Sequence, residues 1–315
     1  MNNLARAAAA AAVYYDLLGR PLTALEIFKY QATGMGADLS FAKWRQSLKG
    51  IAFKADWLKE KAGFYFLSGQ ESLVVSYRER QKIAQRKWRR LRSVARWLAL
   101  IPFLRLIAVT GSLTAYNAKV TSDFDLLLVV EARRLWLTRV LAMALLECLG
   151  YRRQGELTQD RFCLNCFLAQ DNLTISPAEK THNWHAFQEY SRLTPIWEAT
   201  EGLYRQFLRQ NQWLGEQLAS YPWPMDNNLQ RLSPNRVFKL GRKLSERVLQ
   251  GRAGEWLEKK ARAWQRQRIE NKNQDRPEDQ VLVSDYCLML HPQSKGIWLM
   301  DQFNARWSRL VYKLD

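Results

Sequence analysis

Cysteine, histidine and acid are all scarce in this chain, and it has no long apolar run. Its four cysteines, Cys148, Cys163, Cys166 and Cys287, are too few for a disulfide scaffold. They suit a reducing, cytoplasmic setting. Cys163-x-x-Cys166 has the spacing of half a zinc site, but no second tight pair follows. Residues i and i+3 of a regular strand face opposite sides, so buried free thiols are expected here. His182-x-x-His185 lacks a third ligand and is expected to open a helix rather than hold a metal. The longest apolar stretch, Trp97 to Val109, is interrupted by Pro102 and Arg105 and is too short to span a bilayer. The alanine run from Ala5 to Val13 is broken by Arg6 and followed by Asp16, so a helix is expected there rather than a signal peptide. Against 30 acids stand 48 lysines and arginines, a formal net charge of +18. That excess points toward phosphate-bearing partners or an anionic surface. Room for two or three domains is available in 315 residues.

The first hundred residues are punctuated clearly. Ala7 to Leu18 predicts a helix closed by Gly19, with Pro21 just beyond. Thr23 and Glu26 form a capping box for a helix from Ala24 to Tyr30. Ser40 opens a third helix through Leu48, with Gly50 as its stop. Phe64 to Leu67 predicts a strand, and Ser72 to Val75 a second one after a Gly69 turn. Three helices and a two-stranded hairpin resemble a winged-helix domain. That resemblance implies a DNA-facing third helix carrying Lys43, Trp44 and Arg45, with Lys49 just beyond. An interaction module that never touches DNA is the equal alternative. From Tyr77 to Leu98 the periodicity predicts an amphipathic helix. Ile83, Trp88, Leu91, Val94, Ala95 and Leu98 share one face, and Arg78, Lys82, Arg86, Arg89 and Arg96 the other. Such a stripe suits a phosphate backbone of RNA or DNA; a linker helix packed on its neighbour is the plainer reading, and a membrane-surface helix a third.

The centre of the chain is Ile107 to Val130, IAVTGSLTAYNAKVTSDFDLLLVV. An apolar strand ends at Thr110-Gly111-Ser112, and a second strand runs from Phe124 to Val130. Positions i and i+2 of a strand share a face, so Asp123 and Asp125 are expected to point the same way, with Phe124 and Leu126 toward the core. Two carboxylates that close repel each other unless a cation sits between them. Oxygen ligands suit Mg²⁺ or Mn²⁺.

Strand, Gly-Ser, a gap, then Asp-hydrophobic-Asp on the next strand resembles the polymerase-beta-like nucleotidyltransferase superfamily. The resemblance covers Leu104 to Val130 and, less closely, Arg161 to Ala169. It implies that Gly111 and Ser112 start a helix that cradles a nucleoside triphosphate (NTP), and that Asp123 and Asp125 hold metal ions, with Ser122 capping or orienting Asp123. It implies a third acid on the strand 161–169. Asn165 stands in that place and brings an oxygen without a charge, leaving Asp160 or Asp171 as substitutes from the strand ends. Lys119 is expected to be solvated. The implied activity is transfer of a nucleoside monophosphate from an NTP to a hydroxyl of RNA, protein or a small molecule. The alternative is a catalytically degenerate member acting as a nucleic-acid-binding regulator.

Beyond this, Leu135 to Leu149 predicts a helix, with strands at 151–154, 161–169 and 173–175. Asn183 to Gln212 is expected to be largely helical, followed by a stiff linker at Tyr221-Pro222-Trp223-Pro224. Helices are expected over 234–250, 255–269 and 300–311, with apolar runs at 281–283 and 287–290. The expected fold class is α+β. A winged-helix-like domain (1–76) and a basic connecting helix (77–100) precede a nucleotidyltransferase palm (101–180) and a mainly helical C-terminal region (181–315).

Overall fold

The computed structural model describes residues 3–31, 39–175, 184–217, 231–232, 236–272, 281–290 and 296–314, with Asn165 and residues 312–314 described by backbone alone. His182 and the 221–224 linker lie outside the described residues. Helix α1 (Asn3–Leu17), strand β1 (Leu22–Thr23) and helix α2 (Ala24–Tyr30) come first. The expected capping box forms: Thr23 Oγ accepts from Glu26 N, and the Glu26 carboxylate accepts from Thr23 N. Helix α3 (Phe41–Lys54) runs straight through Gly50 rather than stopping there. Gly50 lies on an exposed turn and its α-carbon faces open space, so it costs helix propensity without breaking the helix. Strands β2 (Leu58–Lys61) and β3 (Phe64–Leu67) complete a three-stranded antiparallel sheet in the order β1-β3-β2.

Ser72 to Val75 is not a strand. Those residues open α4 (Ser72–Leu98), whose 27 residues would span about 40 Å. The buried row Val74, Tyr77, Ala84, Trp88, Leu91, Val94, Ala95 and Leu98 has helical spacing from the start. The position 76/77 therefore falls inside a helix. Arg78, Lys82, Arg86, Arg89 and Arg96 are all exposed along its other side, as expected.

The second sheet is mixed and has six strands, in the order β7-β4-β5-β6-β9-β8. Strand β4 (Leu104–Val109) pairs antiparallel with β5 (Phe124–Val130), and β5 pairs parallel with β6 (Phe162–Ala169) across helix α5 (Leu135–Cys148). The remaining strands arrive late in the chain. Helix α6 (Trp184–Tyr190) precedes β7 (Thr194–Glu198), which replaces part of the helix expected over 183–212. Pro195 fits because β7 is an edge strand. After α7 (Leu203–Gln210), α8 (Trp213–Gln217), α9 (Arg236–Leu249) and α10 (Arg252–Lys272), strands β8 (Val281–Val283) and β9 (Cys287–Leu290) close the other edge; α11 (Gly296–Leu314) follows. The region after residue 180 thus supplies three of the six strands and is not a separate helical body. Residues 173–175 form no strand: Leu173 N and Ile175 N donate to the side chains of Gln210 and Asn211. Residues 151–154 make only the isolated bridges Arg152–Phe162 and Gln154–Leu157.

Both faces of this sheet are covered. Ile107, Val109, Phe124, Leu126, Leu128 and Val130 pack with α4 and α5 on one side. Leu106, Ala108, Leu127, Val129, Cys166 and Leu168 pack with α6, α7 and α8 on the other. A strand buried on both faces reads as a continuous apolar run, which is what Leu126 to Val130 is. The N-terminal unit docks through α1. Tyr15 OH donates to Gln188, whose amide donates to Tyr30 O, and Tyr14 OH hydrogen-bonds His185 Nδ1 at 2.7 Å.

One buried amine joins α4 to the sheet's connecting loops. Lys87 Nζ spends all three protons, on Val120 O (2.9 Å), Ser122 O (2.7 Å) and Asp160 Oδ1 (2.6 Å). Arg90 holds the other Asp160 oxygen. Lys87→Met should therefore destabilise the fold by roughly 1–3 kcal/mol, the range for leaving buried acceptors without a donor, since Arg90 keeps Asp160 partnered. A chemical denaturation curve checks this, and a loss below about 1 kcal/mol contradicts it.

Candidate active site

Strand β5 begins at Phe124, and the two acids flank that start. Phe124 turns into the core on the α4 side, so Asp123 and Asp125 fall on the opposite face. Their carboxylates converge as the alternation requires, with one ligand atom from each of Asp123, Asp125 and Cys163 within 4.8 Å of the others. Cys163 is the register partner of Asp125 on the parallel neighbour β6. It brings a thiol, not a third carboxylate, to the acid pair.

The register places Asn165 at an irregular point of β6. Asp125 pairs with Cys163 and Leu127 with Cys166, so β6 spends three residues where β5 spends two. This is a bulge, and Asn165 lies within it. The same bulge turns both Cys163 and Cys166 toward one face, against the expectation of opposite faces. Cys166 packs with Leu127 in the core, while Cys163 sits at the acid pair. All four cysteines are free thiols.

Gly111 shows why this turn requires glycine. Its φ is +71°, and a β-carbon there would lie 2.6 Å from Asp125 Oδ2. The carboxylate leans directly over the Gly111 backbone, a close approach that only a missing side chain permits. The helix expected to begin at Gly-Ser is a single 3₁₀ turn, Gly111–Leu113, and no α-helix separates β4 from β5. A macrodipole-based phosphate cradle is therefore not built here, since one turn aligns too few peptides. Ser112 O accepts from Asn117 N, which folds the following loop back. The Ser122 hydroxyl is used on that loop: it accepts from Lys119 N at 3.0 Å. Lys119 itself is exposed, as expected.

Arg153 was not visible as a site residue from the sequence. It lies 30 positions from Asp123, in the irregular stretch before β6, and donates from Nη1 to Asp123 Oδ2 at 2.6 Å. The same nitrogen lies 3.5 Å from Cys163 Sγ. A guanidinium thus already offsets part of the repulsion between the two acids. It meets Asp123 on Oδ2, and Oδ1 has no partner among the described residues. Asp160 cannot replace the third acid, because Lys87 and Arg90 take both its oxygens. Asp171 follows the far end of β6, about 25 Å along the strand from Cys163.

Burial, then the negative charges of Asp125 and Asp123, push the Cys163 thiol up to about 12. It is a neutral thiol at physiological pH unless a cation reaches it. For Arg153, burial opposes its charge, but Cys163, Asp123 and Asp125 together raise its pKa above the usual arginine value. Two carboxylates and a soft sulfur fit a divalent ion, and the sulfur favours Mn²⁺ over Mg²⁺. Asp123, Asp125 and Cys163 form the one cluster of this kind among the described residues. His185 is engaged with Tyr14, and Glu189 lies 3.9 Å from its other nitrogen.

No known protein family, no curated protein and no solved structure matches this chain.

Two outcomes follow from the charges. Removing the competing guanidinium with Arg153→Met should tighten Mn²⁺ binding about tenfold, equivalent to about 1.4 kcal/mol, read by calorimetry; weaker binding would show that Arg153 organises the pair instead. At pH 8 and without metal, iodoacetamide should label exposed Cys148 and spare Cys163, because a thiol with a pKa of about 12 stays protonated there. Mass spectrometry of the labelled peptides distinguishes the two.

Proposed function

We propose that this protein is a divalent-cation-dependent nucleotidyltransferase, moving a nucleoside monophosphate from an NTP onto a hydroxyl acceptor. The observation that carries this reading is the convergence of Asp123 and Asp125 at the start of a central strand, with the Asp125 carboxylate packed directly on the Gly111 backbone. Asp123 Oδ1, Asp125 and Cys163 would hold Mg²⁺ or Mn²⁺, with the oxygen of Asn165 as a further ligand. The ions would stabilise charge on the attacking and leaving oxygens of the transferred phosphoryl group. Gly111 and the Ser112 hydroxyl would face the triphosphate, and Ser122 fixes the loop that aims Asp123. Arg153 offsets the acids until the ions arrive and then lies ready for phosphate charge. Cys163, a neutral thiol without the ion and a ligand with it, would not be a free base in either state, so the hydroxyl's proton would leave to solvent or to the released pyrophosphate.

A second reading has its own support. Arg153 is bonded to Asp123, which is what a degenerate site that has exchanged its ion for a guanidinium would look like. The order α1-β1-α2-α3-β2-β3 supports a winged-helix resemblance for the N-terminal unit. Lys43, Arg45 and Lys49 are exposed on α3, while Trp44 is fully buried and serves the core. With the exposed row Arg78, Lys82, Arg86, Arg89 and Arg96, these residues fit an RNA- or DNA-binding regulator. No helix among the described residues is long and apolar enough to cross a membrane.

Incubation with labelled NTPs, Mn²⁺ or Mg²⁺ and mixed hydroxyl acceptors separates the readings. Label transfer should occur with the wild type and fall at least 100-fold in Asp123→Asn/Asp125→Asn, a loss of about 2.7 kcal/mol of transition-state stabilisation. Absence of both NTP binding and transfer in the wild type leaves the regulator reading.

A further inference from the structure

A concave surface lies at the other end of the six-stranded sheet. Strand β4 enters at Leu104 and leaves toward Gly111, so the acids sit at its exit. At its entrance, beside Arg105 and the end of β7, a cleft of about 1040 Å³ opens between α4, β7 and α9. Its described walls include Trp97, Trp197 and Phe238, and the cations Arg96, Arg236, Lys239 and Arg242. We propose that this cleft binds single-stranded nucleic acid, stacking a base on Trp97 and taking phosphates on Arg96, Arg236, Lys239 and Arg242.

Three observations carry this. Trp97 is 48% exposed although it is the largest apolar side chain on its turn of α4. Its ring centroid lies 5.9 Å from that of Phe238, at 37°. An indole face presented in a concave, cationic wall is a stacking surface for bases of any sequence.

The second observation concerns charge. Two acids also line the cleft, one held by its neighbours and the other in a loose surface pair. Glu198 is largely buried, accepts from Gly202 N and Tyr204 N, and pairs with Arg231 at 3.4 Å. Glu201 pairs with Arg205 at 3.6 Å. Arg242 is the reverse case. Its guanidinium lies on the Trp197 ring, 4.9 Å from the centroid, and its side chain is only 7% exposed. Its Nε makes no hydrogen bond, and the nearest carboxylate oxygen, on Glu246, is 3.7 Å away. That same oxygen already accepts from Arg105 and from Phe103 N. Burial first, and then the like charge of Arg105, lower the Arg242 pKa despite Glu246. A phosphate at the guanidinium would favour its charged form.

Continuity is the third. Arg96 is the last member of the exposed α4 row, and it also lines the cleft. From Arg78 to Arg96 the row runs about 27 Å, so a backbone tracking it is delivered to the aromatic end. In a duplex the base faces are stacked on one another; a single strand offers them. The volume exceeds what a drug-sized ligand needs. The inference rests on the nucleotidyltransferase reading only in making the bound strand its acceptor; binding itself does not involve the acid pair.

The test uses the full chain with fluorescein-labelled 20-mers of oligo(rU) and oligo(dT), a blunt 20-base-pair duplex, and UMP. Anisotropy is measured at 50–200 mM salt. Single strands should bind at least tenfold tighter than duplex or UMP. Trp97→Ala should weaken them about tenfold and Trp97→Phe should restore most of the loss, with both variants melting near the wild type. Arg236→Ala/Lys239→Ala should flatten the salt dependence by about two units of slope. Asp123→Asn/Asp125→Asn should bind as the wild type does. Duplex or UMP bound as tightly as single strands, or indifference to both Trp97→Ala and Arg236→Ala/Lys239→Ala, overturns the proposal. Single-strand binding lost in Trp97→Ala, with no label transfer in the wild type, upholds this site and removes the catalytic reading.

Discussion

Strand β5 is walled on both faces and paired along both edges, and the rest of the molecule is arranged around that fact. Leu126 to Val130 are all buried, so no charge can be carried along the strand itself. The place where its neighbours β4 and β6 also come to an end is the first one open to carboxylates. Asp125 is set there by strand alternation, and Asp123 by the loop that Ser122 caps. An ionised pair at the rim of an apolar slab is expensive in isolation. It persists because the rim also supplies a guanidinium, a glycine backbone and, on the proposed reading, metal ions.

The same economy recurs elsewhere. Cations and carboxylates meet at buried or half-buried nodes, among them Arg153 with Asp123, Lys87 with Asp160, and Arg105 with Glu131 and Glu246. Each of these joins a sheet element or its loop to something outside the sheet or to irregular chain. Lys87 ties α4 to the 120–122 loop, and Glu246 ties α9 to the start of β4. Specific geometry is the gain from such pairs; net stability gain is small, because desolvation offsets most of the attraction. Arg242, one of several arginines with a buried Nε that makes no hydrogen bond, lines the cleft.

Local signals were legible and non-local ones were not. The Thr23–Glu26 capping box, the strands at 64–67 and 124–130, and the apolar runs at 281–283 and 287–290 were plain because neighbouring residues define them. Ser72 to Val75 misled because β-branched residues suggest a strand, while the buried row that makes them helical continues for twenty residues beyond. Strand β7 was hidden inside an aromatic run, since its pairing with β4 spans nearly ninety positions of sequence. At the site, the Asp-x-Asp alternation gave the acids, but the bulge that brings Cys163 to them belongs to another strand's register. Arg153 carried no signal at all: an arginine in an irregular stretch looks like any solvated arginine until the chain is folded.

Helix α4 contains neither glycine nor proline from Ser72 to Leu98. Near its start, Arg80 grips Gly19 O and Asn117, and Asn117 in turn holds Leu18 O. Halfway along, Lys87 grips the loop that leads into Asp123, and at its end Trp97 meets Phe238. The helix is thus an axle without a joint. The N-terminal unit, the loop behind the acids and the cleft wall therefore share one continuous helical register, and a shift of α4 along its axis would reach all three.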